Sequence, residues 1–252
     1  MSPTSTAANF AKLSIFFPMW NEQDYIRRTI GFATEICEVL VADGEIGDYE
    51  LVIVDDASTD DTGAIAAEDP HVHVVHHETN RKLGGSIKTG LAACTGDIVL
   101  YTDADLPFDM AELSRAFRIL RNYEADIISA YRLDRTGEGL RRTVYSFVYN
   151  GLVTAGFGVR FRDINFAFKL IRRRVLDHVQ VKSEGSFIDA EFMIRASRMG
   201  FQVVQIGVDY FPRTRGVSTL SSAGVIRTIL GEMRDLRHEL KSVRPLDLDG
   251  DR

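Results

Sequence analysis

The chain has 252 residues, 45% hydrophobic and 26% charged, which is enough for one large domain with a sizeable core. Its net charge of −6 and its acidic first half argue against general nucleic-acid binding. The two cysteines, Cys37 and Cys94, lie in apolar helical patterns and indicate buried free thiols in a reducing cytoplasm. No signal peptide is recognisable, and residues 1–12 are predicted to form a disordered tail.

Charge is distributed unevenly along the chain. Residues 1–130 carry a net charge of −13, whereas residues 131–174 carry +7 and the remainder is balanced. An acidic surface can hold a cation, and a basic one can hold a phosphate or lie on an anionic membrane. A solvated charge asymmetry without a ligand is the alternative.

The first half alternates strand and helix patterns. Strands are predicted at 13–18, 49–56, 72–77, 97–103 and 125–131, with helices at 23–41, about 60–69, 84–96 and 109–122. The strands are almost continuously apolar, which predicts a parallel sheet covered by helices on both faces.

The second half is less regular. A strand is predicted at 166–171, a helix at 188–199, a strand at 201–208 and a long helix at 220–241. Residues 143–159 lack charge, but they are shorter than the roughly 20 apolar residues of a membrane span and contain four polar side chains. The pattern favours a buried helix, with a partly exposed helix at a lipid or acceptor cleft as the alternative.

Polar clusters follow three of the predicted strands. They are "PMWNE" (18–22), "VDDASTDDT" (54–62) and "TDAD" (102–105). In open parallel sheets, ligands bind beyond the carboxyl ends of the strands. Residues two apart on an extended backbone point the same way, so Asp103 and Asp105 can offer two hard oxygens to Mg²⁺ or Mn²⁺. Such an ion would neutralise a diphosphate leaving group; a turn or helix cap is the other explanation for this motif.

A histidine cluster lies in and after the third strand, at His71, His73, His76 and His77. Strand alternation places His76 and His77 on opposite faces, which favours packing roles over a metal site. Neither a GxGxxG fingerprint after a strand nor a GxxxxGK[ST] loop is present.

Several motifs together resemble a known family. "FPMWNE", "VIVDDASTDDT", "NRKLGGSIKTGLAACTGD" and "YTDADL", in this order, resemble family 2 glycosyltransferases of the GT-A fold. "RRTVYSFVYNGL", "FRDINFAFKLIRR", "FIDAEFMIRASRMGFQVVQI" and "RTRGVS" are similar to the polyprenyl- or dolichyl-phosphate mannose synthase branch, and the match covers about residues 12–219. The resemblance implies an α/β GT-A fold: a mostly parallel, Rossmann-like sheet flanked by helices, with a helical acceptor-side region.

The same resemblance implies an activity, namely the inverting transfer of a hexose from a nucleotide diphosphate sugar of the GDP-mannose or UDP-glucose type to a polyprenyl phosphate. It implies donor contacts at Pro18, Trp20, Glu22, Asp55, Lys88, Asp103, Ala104, Asp105 and Arg213. It also implies that Asp103 and Asp105 hold Mg²⁺ or Mn²⁺, with Asp105 the stronger ligand.

On the acceptor side, the resemblance implies phosphate contacts at Arg132, Arg142 and Ser146. Asp163 either binds the acceptor or pairs with Arg160 or Arg162. Asp189 stands where relatives with hydroxyl acceptors carry a general base, so it is either that catalytic base or a residue that orients the site. A phosphate acceptor is already ionised and needs no strong base.

The C-terminal helix is amphipathic. Its apolar face comprises Val225, Ile229, Met233, Leu236 and Leu240, flanked by Arg227, Arg234, Arg237 and Lys241. Interfacial membrane contact and docking on the core both fit this pattern. The predicted organisation is one catalytic domain at 13–218, with a nucleotide-sugar half (13–130) and an acceptor half (131–218), then this helix (219–244) and an acidic tail (245–252).

Two alternative functions stay open: a glycosyltransferase for a soluble hydroxyl acceptor, and a catalytically weak sugar-nucleotide-binding module. The second is motivated by Pro107 and Thr219, which stand where the synthase branch often has a metal ligand and a diphosphate contact. The expected location is cytoplasmic, with peripheral contact at the inner face of the plasma membrane. The sequence sets neither the sugar nor the nucleotide nor the oligomeric state.

Overall fold

The computed structural model describes residues 8–134, 140–211 and 223–247, without the side chains of residues 140–142, 223, 225 and 226. Within these residues, the strands are β1 (Phe10–Met19), β2 (Ile46–Asp55), β3 (Val72–His76), β4 (Ile98–Thr102), β5 (Ile127–Arg132), β6 (Phe168–Arg172) and β7 (Val203–Val208). The helices are α1 (Ile26–Ala42), α2 (Thr62–Ala66), α3 (Lys82–Ala93), α4 (Glu112–Asn122), α5 (Leu140–Phe157), α6 (Arg173–His178), α7 (Ile188–Met199) and α8 (Ala223–Ser242).

The described strands form one seven-stranded sheet in the order β3-β2-β1-β4-β6-β5-β7. β1 is parallel to β2 and β4, β2 to β3, and β5 to β7, which confirms the mostly parallel prediction. β6 is the exception, because it runs antiparallel between β4 and β5. Its amino end therefore lies at the same edge as the carboxyl end of β4, where Phe168 is opposite Thr102.

Helices cover both faces of the sheet, as predicted. The buried side chain of Phe17 joins the cluster formed with α1 and α4, whereas its neighbour Phe16 joins the cluster formed with α3. Helix α3 approaches β1 closely at Gly90, where a Cβ would lie 2.2 Å from the Phe16 ring. Only glycine therefore fits at this crossing.

Two sequence-based expectations about the first half need correction. β1 begins at Phe10, which is buried in the main core, so residues 10–12 belong to the strand and not to a tail. The second predicted helix is shorter than expected and ends at Ala66. Both cysteines are buried free thiols, as expected. Burial raises the pKa of each to about 12.

Helix α5 differs most from its prediction as a buried helix. The outer face of α5, as we call it here, comprises the exposed residues Val144, Tyr145, Phe147, Val148, Gly151, Leu152 and Ala155. The Phe147 side chain is 80% exposed. The polar residues Asn150 and Thr154 are half-buried, and Val153 and Phe157 pack into the second core. The side of α5 that faces solvent is therefore mainly apolar. Of the two predictions for this segment, the partly exposed helix is the one observed.

Helix α8 docks on the core. Ile229 and Leu240 are buried in the second core, with Met233 and Leu236 packed against it. Polar contacts add to this docking, because Glu232 accepts hydrogen bonds of 2.9 Å from the backbone amides of Glu184 and Gly185. The Val225 side chain lies outside the described residues. No helix in the described part of the chain combines the length and apolar character needed to cross a bilayer.

Candidate active site

Three polar segments meet at one edge of the sheet. Met19 and Asp55 are in register at the carboxyl ends of β1 and β2, and the parallel β4 ends beside them at Thr102. The Asn21 and Glu22 amides donate to the Ser58 and Thr62 hydroxyls, which ties the first two segments together. The edge is thus formed by the segments that the strand alternation predicts.

The expected donor contacts differ in exposure. Pro18, in β1, is half-buried and lies opposite Val54, whereas Trp20 is 51% exposed just beyond the strand. Asp55 is buried, and its two oxygens accept hydrogen bonds from the Ser58 amide (3.0 Å) and from His76 Nδ1 (2.9 Å). The carboxylate is therefore held in one orientation from two sides.

Asp103 and Asp105 follow β4 in a turn, in which the Leu106 amide donates to the Asp103 carbonyl at 3.3 Å. The extended backbone expected at this point from the sequence is therefore not observed. Both are half-buried, whereas Ala104 between them is buried and its carbonyl accepts a hydrogen bond from the Thr29 hydroxyl of α1. One carboxylate oxygen of Asp105, Oδ1, is buried. Carboxylate oxygens are the ligands that a hard divalent cation prefers. Among the described residues no group of three or more His, Cys, Asp or Glu side chains is arranged to hold a metal ion.

Lys88, expected at the donor, lies on α3 and forms an ion pair with Glu184. The Gly84 amide of the same helix donates to the Glu184 carbonyl at 3.1 Å. These two contacts fix the amino-terminal half of α3 to the segment that precedes α7, with Lys88 still 31% exposed.

Asp189 lies in the first turn of α7 and is not isolated. Its Oδ1 is 2.7 Å from Nζ of Lys169, which also donates to the Phe166 carbonyl at 3.0 Å. Lys169 lies in β6 opposite Tyr101 of β4, and its ammonium is 5.5 Å from that ring. Burial, and then the charges of Asp189 and Asp103, raise the pKa of Tyr101 well above its ordinary value. The candidate base Asp189, and Asp103 of the acidic pair after β4, therefore both act on the same tyrosine hydroxyl.

The acceptor-side residues cluster around one buried ion pair. Arg132 donates from Nε and Nη2 to the two oxygens of Asp163, at 2.6 and 2.7 Å. The Ser146 hydroxyl of α5 lies 3.4 Å from the same carboxylate. The Arg132 guanidinium lies over the rings of Phe166 and Tyr210, at 5.4 and 5.1 Å. Three of the four predicted acceptor residues are thus brought together.

The pairing of Asp163 corrects a sequence-based expectation. It pairs with Arg132 of β5, whereas the expected partners were Arg160 and Arg162. The Arg162 guanidinium lies over the Tyr131 ring at 5.1 Å instead. The Arg142 side chain, Arg213 and Thr219 lie outside the described residues.

Sequence reasoning missed Lys169 and His76 as members of this site. A lysine within the apolar run "FAFKLI" is a signal that could have revealed Lys169, because a buried charge needs a partner. The signal for His76 was its position at the end of the strand that follows "VDD" in the chain, but the histidine cluster was weighed only between packing roles and a metal site.

An open α/β sheet with acidic groups beyond its parallel strand ends, at the point where strand order reverses, defines a nucleotide-binding type of α/β enzyme. The family can be named by comparison. A model of glycosyl transferase family 2 matches residues 14–180, and the chain belongs to that family.

Curated relatives support the assignment. The chain is 30% identical to Glycosyltransferase AglD of Haloferax volcanii over 239 residues, which cover 91% of this chain and 37% of that protein. It is 29% identical to an undecaprenyl-phosphate 4-deoxy-4-formamido-L-arabinose transferase of Sodalis glossinidius, covering 86% of this chain and 65% of that protein. The chain therefore spans between about a third and two thirds of the length of these relatives.

Solved structures show the same fold. Glucosyl-3-phosphoglycerate synthase from Mycobacterium tuberculosis, in complex with Mn²⁺, UDP-glucose and phosphoglyceric acid, aligns with a TM-score of 0.66 and 21% identity. The alignment covers 89% of this chain and 80% of that chain. The protein is thus a family 2 glycosyltransferase with the GT-A fold.

Proposed function

We propose that this chain transfers a hexose from a nucleotide diphosphate sugar, of the GDP-mannose or UDP-glucose type, to a polyprenyl phosphate with inversion at the anomeric carbon. Donor contacts are assigned to the edge of β1, β2 and β4, with Lys88 and Arg213 completing the set. The Sodalis relative supports the acceptor class, because its name states an undecaprenyl-phosphate substrate.

Asp103 and Asp105 would hold Mg²⁺ or Mn²⁺, since both are half-buried carboxylates directly after the carboxyl end of β4. A bound dication would neutralise charge that develops on the diphosphate leaving group. The ribose and base would then lie towards the carboxyl ends of β1 and β2, beside Pro18 and Asp55.

One observation carries the choice of a lipid phosphate as acceptor: Ser146 lies on the same helix as the outer face of α5. Ser146 contacts the Arg132–Asp163 pair, while Phe147 and Val148 next to it point to solvent. A phosphate bound near the ion pair would therefore have its hydrocarbon chain beside an apolar surface. Clustered exposed apolar residues of this kind are typical of interaction sites.

Charge on the acceptor side also suits an anionic acceptor. The buried carboxylates of Asp163 and Asp189 are each paired with a buried cation, Arg132 and Lys169. An incoming phosphate would therefore meet little net negative charge there. Arg142, at the start of α5, would add a charge-assisted contact of the kind that arginine makes with phosphate.

The transfer itself needs no strong base with this acceptor. An ionised phosphate oxygen attacks the anomeric carbon from the side opposite the leaving group, and the nucleoside diphosphate departs with the bonding electrons. Asp189, held by Lys169, would orient the site as a fixed anion.

The outer face of α5 would bring the enzyme to its substrate by peripheral membrane contact. An uncharged apolar stripe, together with basic residues elsewhere on the chain, is typical of proteins that lie on a bilayer surface. The exposed basic residues Arg234, Arg237 and Lys241 of α8 are available for anionic head groups.

A direct assay tests the proposal. The full chain is incubated with labelled GDP-mannose or UDP-glucose and Mn²⁺, and with either undecaprenyl phosphate in vesicles, a short-chain prenyl phosphate or a panel of hydroxyl compounds. We expect solvent-extractable product only with the prenyl phosphates. Product only from hydroxyl compounds, with a large loss in Asp189→Asn, would assign Asp189 as a base; donor binding without any product would favour a binding module.

Arg142→Ala sharpens the test. It should lower transfer to prenyl phosphate more than it lowers hydrolysis of the donor by water, because it removes an acceptor contact only. Arg118→Ala, an exposed arginine on α4, is the matched control. If Arg142→Ala leaves both rates unchanged, the acceptor site is wrongly placed.

A further inference from the structure

Two histidine–aspartate pairs join β3 and its following residue to the end of β2. His76 pairs with Asp55, with Nδ1 2.9 Å from Oδ2, and His77 pairs with Asp56, with Nδ1 2.6 Å from Oδ1. The two pairs differ in exposure, because the His76 side chain is 59% exposed and that of His77 only 3%. Only His76 can therefore meet a ligand at this edge without rearrangement.

His77 has a structural role that explains its burial. Its second ring nitrogen, Nε2, lies 2.8 Å from the Thr89 hydroxyl of α3. Its partner Asp56 also accepts a hydrogen bond of 2.7 Å from the Arg81 amide. Both ring nitrogens of His77 are thus used in joining β2 to α3.

The Asp55 contact fixes the state of the His76 ring. An ionised carboxylate can only accept hydrogen bonds, so Nδ1 is the protonated nitrogen and donates to Asp55. In the neutral ring Nε2 is then a hydrogen-bond acceptor. The aspartate therefore sets both the orientation and the tautomer of the exposed imidazole.

The pair is held closely on its other side by α2. A Cβ at Gly63 would lie 2.6 Å from Asp55 Oδ2 and 2.6 Å from His76 Cε1, so the helix backbone packs directly on the pair. The other oxygen of Asp55 accepts a hydrogen bond from the Ser58 amide. Asp55 is thus buried and held on both oxygens, whereas the His76 side chain paired with it is 59% exposed at the carboxyl end of β3.

Resting on the proposed function, we infer that His76 is a further donor-binding residue that contacts the nucleobase through Nε2. An acceptor at this place selects a base that presents a ring N–H, as uracil and guanine do. Cytosine and adenine present an unprotonated ring nitrogen at the equivalent edge, which would oppose Nε2. Asp55 would then position the imidazole in addition to its own donor contact.

Binding measurements by calorimetry test the inference without any turnover. UDP, GDP, CDP and ADP, and pyrophosphate as a probe without a base, are each titrated with Mn²⁺ into the full chain and into His76→Phe. We expect the wild-type chain to bind UDP or GDP in preference to CDP and ADP. His76→Phe should lower the affinity for the preferred nucleotide by about tenfold, which corresponds to the loss of one hydrogen bond to the base. The affinity for pyrophosphate should not change.

The chain provides a matched control. His71 also pairs with an aspartate, Asp69, at 3.3 Å, but it precedes β3 at the opposite edge of the sheet. His71→Phe should therefore bind every probe as the wild type does. His76→Leu, which removes both ring nitrogens and leaves no acceptor, should show the same loss as His76→Phe and guards against an effect of the larger ring.

The outcomes separate this inference from the proposed function. If the wild type binds a nucleoside diphosphate and both His76 variants bind it equally well, the inference is overturned and the proposed function stands. If the variants bind pyrophosphate more weakly by the same factor as they bind the nucleotide, the inference is also overturned, because the effect would then not concern the base. If the wild type binds none of the four nucleotides, both are overturned.

Discussion

Nζ of Lys169 lies 2.7 Å from Oδ1 of Asp189, and the two side chains are 2% and 4% exposed. The pair joins β6 to the first turn of α7, so a strand and a helix that meet at the site are connected by two opposite charges. Each charge is tolerated in the interior because of the other. Asp189 is thereby presented as a fixed anion with one oxygen already occupied.

Removing one member of this pair should be costly. Lys169→Met leaves the Asp189 carboxylate buried without its cation, and we expect it to lower the free energy of unfolding by about 3–5 kcal/mol. Denaturant unfolding followed by circular dichroism measures the change. The double variant Lys169→Met/Asp189→Leu should recover much of the loss, since no charge is then left buried. A single variant as stable as the wild type would contradict the assigned ion pair.

Metal dependence should reside in the acidic pair after β4. Asp105→Ala is expected to weaken binding of a nucleoside diphosphate in the presence of Mn²⁺ by at least about tenfold, because a carboxylate ligand is lost. Binding without metal should change little. Asp48→Ala, an exposed aspartate in the amino-terminal part of β2, is the control and should bind as the wild type does. If Asp105→Ala binds the nucleoside diphosphate in the presence of Mn²⁺ as tightly as the wild type does, the metal does not bind at this site.

The outer face of α5 should decide membrane contact. Phe147→Asp replaces a side chain that is 80% exposed, so stability should hardly change. The affinity for anionic vesicles, measured by sedimentation, should fall by roughly ten- to a hundredfold. That factor corresponds to the free energy of burying one phenylalanine side chain.

Tyr123→Asp is the comparison for that variant. Tyr123 is 63% exposed at the end of α4, on a different helix. If both variants lose vesicle binding equally, the effect is one of charge alone and the outer face of α5 is not the contact surface.

Stability in acid should depend on Glu50. Burial alone would raise its pKa, but hydrogen bonds from Lys12, Ser14 and Thr95 outweigh burial and bring the pKa from 4.5 to about 2. A depressed pKa contributes stability above pH 4.5, which is lost as the pH falls towards 2. Denaturant unfolding should find Glu50→Gln less stable by about 1–2 kcal/mol at pH 7, allowing for solvent screening. The difference should vanish near pH 2; a constant difference would show that charge is not involved.

The sequence by itself determined the local features of this protein. Short, almost continuous apolar runs located the strands, and the helix predicted at 188–199 is observed there as α7. The separation of His76 and His77 to opposite faces was predictable, because the direction of a side chain on an extended backbone depends only on its position in the strand. The same argument did not hold for Asp103 and Asp105, which lie in a turn after β4.

The tertiary structure decided how these elements meet. Nothing in the sequence of β6 reports that it runs antiparallel between β4 and β5. That direction places Lys169 beside Tyr101 and within reach of Asp189, and a similar long-range meeting pairs Arg132 with Asp163.

Helix α5 shows the physical limit most clearly. Its uncharged sequence predicted burial, yet its apolar residues face outward while Asn150 and Thr154 are half-buried. Hydrophobicity measures the free energy of leaving water but does not say what replaces the water, whether protein core or another surface. Only the packed fold shows which faces the chain itself has covered.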